Sequence, residues 1–303
     1  MSIPHEHTPV EQLHSEFLSR YGVSVFVKRD DVNHPMIMGN KWRKLKYNLE
    51  QAKDQKCDTL LTYGGAYSNH VLATAAAAAA FGFKSIGVIR GDELNPDSNI
   101  TLKTASDLNM KLEFVSREKF RKMKTQLSIP AGLSKVYVLP EGGTNKFAIK
   151  GCAELIHELG QEYDLIATSM GTGGTFAGLL MGLKGSGHLL GFSALKGPWI
   201  NDETEKLLNE HQISYTNYGV YQDHYFGGYG KYTKTLIEFI NAFYRDYHIL
   251  LDPIYTGKMF FSVWEMIKNA QIATGSRILL IHTGGLQGIA GFNERHGLQL
   301  PGP

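Results

Sequence analysis

Short apolar runs that end in glycine alternate with longer segments of helical character, and this alternation narrows the fold more than any other feature of the chain. The runs fall at 59–63, 85–90, 112–115, 136–139, 165–168, 189–192 and 277–281, and glycines follow several of them, at Gly64 and Gly65, Gly142 and Gly143, Gly171, and Gly284 and Gly285. Near-continuous apolar strands separated by helices predict parallel sheets covered on both faces. Glycines at the carboxyl ends of such strands lie where open α/β sheets bind their ligands. The helical segments fall at 40–55, 68–81, 147–159, 175–184, 232–247 and 257–274. The alanine run 75–80 suits a helix packed close to a neighbour, since alanine combines high helix propensity with little bulk. Residues 199–229, rich in His, Tyr, Asn and Gly, read as a loop over the site. No fixed-period repeat, low-complexity linker or heptad pattern appears.

With 303 residues the chain can form one large domain or two intimately packed ones, and bury a substantial core without covalent staples. Its 43% hydrophobic and 20% charged residues are those of an ordinary globular protein. The net charge of +2 is spread without a long basic run, which argues against nucleic acid and anionic membrane as partners. Cys57 and Cys152 have neither the number nor the spacing for a disulfide framework or a zinc site, and read as thiols in a reducing compartment. His5, His7, His34, His70, His157 and His211 are scattered without ligand spacing, so no metal is expected. Residues 1–7 lack the basic-then-apolar pattern of a signal peptide. The alanine-rich run 71–83 is shorter than the roughly 20 residues a membrane span needs. A cytoplasmic protein is expected.

Several constellations offer chemistry. Lys41, in Gly39-Asn40-Lys41, starts a helical segment, where the positive end of the helix dipole lowers the proton affinity of its amine. Such a lysine can act as an imine-forming nucleophile and then as a base, although most lysines are simply solvated. In Tyr63-Gly64-Gly65-Ala66-Tyr67-Ser68-Asn69-His70, a strand and glycine turn place Ser68 and Asn69 at a helix start, either as an anion site or as an ordinary N-cap. Gly171, Thr172, Gly173, Gly174 and Thr175 follow another strand and open a helix, as a phosphate loop or a plain tight turn. The loop lacks the Gly-Lys-Ser/Thr of a Walker motif and the acidic partner of a dinucleotide fingerprint. Tyr229 and Tyr255 stand beside glycines, and Thr283 ends a strand in His282-Thr283-Gly284-Gly285; each can meet a ligand or merely pack.

The order of these motifs resembles the 1-aminocyclopropane-1-carboxylate (ACC) deaminase and D-cysteine desulfhydrase family of pyridoxal 5'-phosphate (PLP) enzymes, from about Phe26 to Gly291. The resemblance implies an α/β fold type II architecture with two domains, each a mainly parallel twisted sheet flanked by helices. The larger, cofactor-binding domain would comprise residues 1–45 plus 149–303, and a smaller substrate-closing domain 46–148. Lys41 matches the lysine that bonds PLP and then moves the α-proton. Ser68 matches the serine beside the substrate carboxylate, and Asn69 the asparagine on the ring hydroxyl. Gly171, Thr172, Gly173, Gly174 and Thr175 match the phosphate loop, Tyr229 and Tyr255 the active-site tyrosines, and Thr283 the group facing the pyridine nitrogen. A homodimer acting on a small amino acid follows from the same resemblance.

Departures from the family pattern narrow the activity. ACC deaminases carry a glutamate after the second tyrosine, where this chain has Thr256, and His-Leu-Gly-Gly where it has His282-Thr283-Gly284-Gly285. Both changes resemble D-cysteine desulfhydrase. A carboxylate keeps the pyridine nitrogen protonated and a hydroxyl does not, which favours β-elimination over cyclopropane opening. The expected reaction is therefore a PLP-dependent lyase or deaminase reaction, an α,β-elimination giving pyruvate, ammonia and sulfide. ACC deamination, serine or threonine dehydration, β-replacement, a PLP-binding protein with little turnover and a nucleotide-binding Rossmann protein are the alternatives. Tyr67 replaces the family's glutamine beside Ser68, a position from which it can reshape the pocket and leave the substrate and its chirality open.

Overall fold

The computed structural model describes residues 7–197 and 199–303; the readings of His5 and of the leading segment fall largely outside them. The first half of the chain forms β1 (Val10–Leu13), α1 (Glu16–Tyr21), β2 (Ser24–Lys28), α2 (Asn40–Asp54), β3 (Thr59–Gly64), α3 (Asn69–Phe81), β4 (Lys84–Arg90), α4 (Ile100–Asp107), β5 (Met110–Val115), α5 (Arg117–Gln126) and β6 (Val136–Leu139). The second half forms α6 (Lys146–His157), β7 (Leu165–Met170), α7 (Gly174–Leu183), β8 (His188–Ser193), α8 (Trp199–Glu210), β9 (Tyr218–Tyr221), α9 (Lys234–Tyr247), α10 (Thr256–Lys268), β10 (Arg277–Ile281) and α11 (Gly288–His296). The strands make a six-stranded sheet ordered β1-β2-β10-β7-β8-β9 and a four-stranded sheet ordered β5-β4-β3-β6. Every pairing is parallel except that of β1 with β2. The fold is the expected α/β one with mainly parallel sheets.

The side-chain period of a strand explains why β10 is central. Ile278 and Leu280 enter the core cluster under α9 and α10, beside Leu236, Ile240, Phe243, Phe260 and Val263. Leu279 and Ile281 enter the opposite cluster under α6 and α7, beside Ile149, Phe176 and Leu180. All four are fully buried, so the strand is apolar on both faces and must be covered on both. In the smaller sheet, Ala73, Ala76 and Ala77 of α3 pack against Leu45, Leu49 and Ala52 of α2, and Val71 and Ala75 pack against Leu102 and Ala105 of α4. The alanines let α3 lie close to both neighbours.

Helix α2 joins the two sheets. Its apolar side packs with Leu60, Tyr137 and Leu139 of the small sheet. Its Arg43 reaches the large one, donating to both oxygens of Asp30 and both of Glu158. Lys28 of β2 closes this buried network on Glu158 at 2.8 Å. The boundary expected at residues 45 and 46 therefore falls inside a continuous helix. Where α2 crosses α6, a Cβ on Gly151 would stand 1.9 Å from the Arg43 carbonyl oxygen, so only glycine permits the approach.

The reading of residues 199–229 as a loop is corrected by the structure, which holds α8 and the edge strand β9 there. Ile200, Thr204 and Leu208 recur every fourth residue and are buried, which makes α8 an amphipathic helix despite its polar composition. Strand β9 is half-buried throughout and pairs only with β8, so it shows no strong apolar run.

Candidate active site

The carboxyl ends of β3, β7 and β10 meet the start of α2, and most of the expected site residues converge there. Gly39 sets the meeting point. Its φ of 63° lies in the left-handed region, and a Cβ would stand 2.0 Å from the Thr283 carbonyl oxygen. Asn33 clasps it from both sides, accepting from the Gly39 N–H at 2.8 Å and donating to the Gly39 carbonyl at 3.1 Å. The Asn40 N–H donates to the Thr283 carbonyl at 3.2 Å. The first turn of α2 is thereby fixed on the end of β10, and Lys41 lies in that turn.

Lys41 Nζ donates to Asn40 Oδ1 at 2.7 Å, and Asn40 Nδ2 donates to Thr175 Oγ1 at 2.8 Å. Desolvation pushes the Lys41 amine down to about 7, and Lys44 one turn along adds to the effect against the opposing pull of Cys152 and Asp252. Near neutral pH this amine is therefore shared between its nucleophilic and protonated forms. Lys44 is buried and donates to the Gly142 carbonyl at 2.9 Å. His70, also buried, has neither ring nitrogen hydrogen-bonded, and burial holds the ring neutral, well below the usual imidazole range. Its edge faces Gly143.

The loop of Gly171, Thr172, Gly173, Gly174 and Thr175 follows β7 and opens α7, with Gly173 as N-cap at a φ of 77°. Thr172 and Thr144 hydroxyls lie 2.6 Å apart, and the Tyr255 ring lies over Gly171. Ser68 is the N-cap of α3, its Oγ accepting from the Val71 N–H at 3.3 Å, so the capping role read from sequence is present. Asn69, the first residue of α3, abuts Gly285 and Gly288 beyond β10. Tyr67 packs its ring on Gly291 of α11 and beneath Arg295 at 5.8 Å, so its bulk goes into the joint between the two sheets.

Tyr229 and Tyr255 pack edge to face at 6.0 Å. Tyr229 stays 47% exposed, whereas burial raises the Tyr255 hydroxyl well above the usual phenol range, so Tyr255 keeps its proton at neutral pH. The Thr283 hydroxyl pairs with that of Ser169 at 3.2 Å. Thr256 is bound to Asp252, whose buried carboxylate also accepts from the N–H groups of Ile254, Tyr255 and Thr256. Asn40, Lys44, His70, Ser169 and Asp252 are site groups the sequence did not single out. Asn40 and His70 stood inside the recognised motifs, whereas the Thr283 partner Ser169 had no signal beyond its place at a strand end. Among the described residues no cluster of three His, Cys, Asp or Glu side chains is arranged for a metal, and no helix is long and apolar enough to cross a membrane.

These groups fit PLP. A lysine of low proton affinity stands where a carbonyl group can meet it, beside an exposed glycine loop at the head of a helix that suits a phosphate. The unpartnered nitrogens of His70 and the unpartnered buried amide of Gln287 are the kind of polar atoms a bound ligand satisfies.

Residues 2–284 match the family described as pyridoxal-phosphate dependent enzyme. A Pyrococcus abyssi protein provisionally named 1-aminocyclopropane-1-carboxylate deaminase is 33% identical over 316 residues, spanning 96% of this chain and 93% of its own. The mitochondrial bifunctional D-cysteine desulfhydrase/1-aminocyclopropane-1-carboxylate deaminase of Arabidopsis thaliana is 29% identical over 319 residues, spanning 95% of this chain and 78% of its own. The crystal structure of an ACC deaminase homologue superposes with a TM-score of 0.82 at 27% identity, over 95% of this chain and 92% of that one.

Proposed function

The chain belongs to the pyridoxal-phosphate dependent enzymes, among the relatives of ACC deaminase and D-cysteine desulfhydrase, and we propose that it carries out an α,β-elimination on a small amino acid, D-cysteine first among them. The observation that carries this reading is the hydroxyl pair of Thr283 and Ser169 at the end of β10. The buried carboxylate of Asp252 in the same neighbourhood is bound by donors of its own turn, one of them the Thr256 hydroxyl. In this reading Thr283 would present a hydroxyl, not a carboxylate, to the cofactor's pyridine nitrogen, an electrostatic setting that suits departure of a good leaving group such as sulfide.

Lys41, Asn69, Gly171, Thr172, Gly173, Gly174, Thr175 and Thr283 would hold PLP. When bound, the cofactor supplies an electron sink for the pair released at the substrate α-carbon. Lys41 Nζ, shared between its two forms near pH 7, takes the α-proton. Ser68 and the start of α3 orient the substrate carboxylate through helix N–H groups. Tyr255, with a hydroxyl that keeps its proton, delivers it to the departing sulfur beside Tyr229. The segment 46–148 closes over the substrate and excludes water until it is needed. In sum, D-cysteine and water become pyruvate, ammonia and hydrogen sulfide. The homodimer and the cytoplasmic setting belong to the same proposal.

The names of the relatives favour a second reading, ACC deamination to 2-oxobutanoate and ammonia. Product assays separate the two. The purified protein loaded with PLP is given D-cysteine, L-cysteine and ACC in parallel, with sulfide, pyruvate and 2-oxobutanoate measured. Sulfide and pyruvate from D-cysteine in equal amounts support the elimination. Turnover of ACC with no sulfide from either cysteine contradicts it.

A further inference from the structure

We propose that Asn40 is a positioning residue that holds the Lys41 amine whenever that amine is not bonded to the cofactor, and that ties it to the 171–175 loop. The proposal rests on the reading of Lys41 as the cofactor lysine.

The contacts form a directed chain. Lys41 Nζ donates to Asn40 Oδ1 at 2.7 Å, and Asn40 Nδ2 donates to Thr175 Oγ1 at 2.8 Å. Chemistry dictates the orientation of the Asn40 amide. An ammonium group only donates, so it must face the amide oxygen, and the amide nitrogen is left for the Thr175 oxygen. Thr175 accepts that bond at the head of α7. The base of this chain is rigid, because the Asn40 backbone is pinned to the Thr283 carbonyl and Gly39 is clasped by Asn33.

Two consequences follow for the amine. In the protonated form the Asn40 oxygen stabilises the charge against burial and the neighbouring Lys44. In the neutral form one N–H remains on that oxygen, and the lone pair points away from it, toward an incoming carbonyl or proton. The charged and titratable groups around the amine come from four elements: Lys44 on α2, His70 on α3, Cys152 on α6 and Asp252 just before α10. Asn40 is the neutral group among them that bonds the amine directly. Because its other end is on Thr175, filling the 171–175 loop with an anion and releasing the lysine act on one side chain.

The test is the pH dependence of cofactor uptake by the full-length protein stripped of PLP, followed as the visible absorption that develops when PLP is added. Wild type, Asn40→Asp and Asn40→Ala are compared. The cofactor's own ionisations are common to the three and cancel. The wild-type rate should inflect at about 7. Asn40→Asp puts a negative charge against the amine and should move the inflection up by at least ~1 pH unit, about fivefold slower uptake at pH 7. Asn40→Ala removes the acceptor of the charged form and should move the inflection down. Asn40→Ser replaces it if the alanine variant does not fold, and Asn40→Asp alone decides the direction. Variants that colour with the wild-type inflection, whatever their plateau rate, overturn the proposal. A wild-type protein that takes up no colour overturns the functional reading beneath it instead.

Discussion

Replacing Arg43 tests how the start of α2 is held. The guanidinium spans Asp30, with Nε to Oδ2 at 2.5 Å and Nη2 to Oδ1 at 2.8 Å, and Glu158, with Nη1 to Oε1 at 2.6 Å and Nη2 to Oε2 at 2.9 Å. Asp30 and Arg43 are almost wholly buried, and Lys28 completes the set on Glu158. Two positive and two negative side chains cancel. Arg43→Met leaves one buried negative charge in excess, and breaking a buried pair in this way costs about 3–5 kcal/mol. At ~2 °C per kcal/mol for a chain of this size, the melting temperature should fall by about 6–10 °C. Arg43→Lys should recover little, because an ammonium cannot bridge two carboxylates through a fork. Adding Asp30→Asn to Arg43→Met restores neutrality and should recover part of the loss. The pH dependence has a defined sign. In wild type the Glu158 carboxyl is held below its usual range by Arg43 and Lys28, so its stabilisation is present above the unfolded pKa and lost as pH falls through the folded one. In Arg43→Met the excess carboxylate is disfavoured, so acidification should narrow the gap to wild type. Circular dichroism melts between mildly acid and neutral pH measure all of this. A single variant within ~1 kcal/mol of wild type, or a double variant less stable than the single, would show that the network does not hold the start of α2.

Three further outcomes follow. Gly39→Ala forces a Cβ into the Thr283 carbonyl at a left-handed backbone position, and should abolish PLP uptake measured by absorbance while also lowering the melting temperature. Tyr255→Phe should lower kcat on D-cysteine by about 10²-fold or more with the cofactor absorbance intact, if its proton is the one delivered to sulfur, whereas unchanged kcat removes it from that role. Lys258 donates to the carbonyls of Tyr225 and Gly228 in the loop that carries Tyr229, so Lys258→Met should speed amide hydrogen exchange at 225–229 and raise KM; unchanged exchange there would show that the lysine does not hold the loop.

Interior strands apolar on both faces were legible, whereas β2, interior but with Ser24 and Phe26 only half-buried, was not read as a strand. Residues 277–281 and 189–192 read as buried strands, and β10 and β8 are there. Of the edge strands, β5 and β6 were read, and β1 and β9 escaped. Strand β1 exposes Glu11 and Gln12, and β9 is half-buried along its length, so neither has the apolar run that marks a strand. The candidate site was legible where glycine clusters mark strand ends and helix starts, which is why Lys41, Ser68, Asn69 and the loop at 171–175 could be named. Contacts between distant residues left no local trace. Asn40 meets Thr175 across 135 positions and Ser169 meets Thr283 across 114, and only the fold brings them together. Tyr67 shows the converse, a position read as shaping the pocket whose ring packs in the joint between the sheets.

The claim on which the account depends is that Lys41 bonds the cofactor. Borohydride reduction of the PLP-loaded protein, followed by peptide mass mapping, tests it directly. The added mass is expected on the peptide containing Lys41, with neither visible colour nor labelled peptide in Lys41→Ala. Label on Lys44, Lys258 or another lysine, or colour that survives in Lys41→Ala, would contradict it.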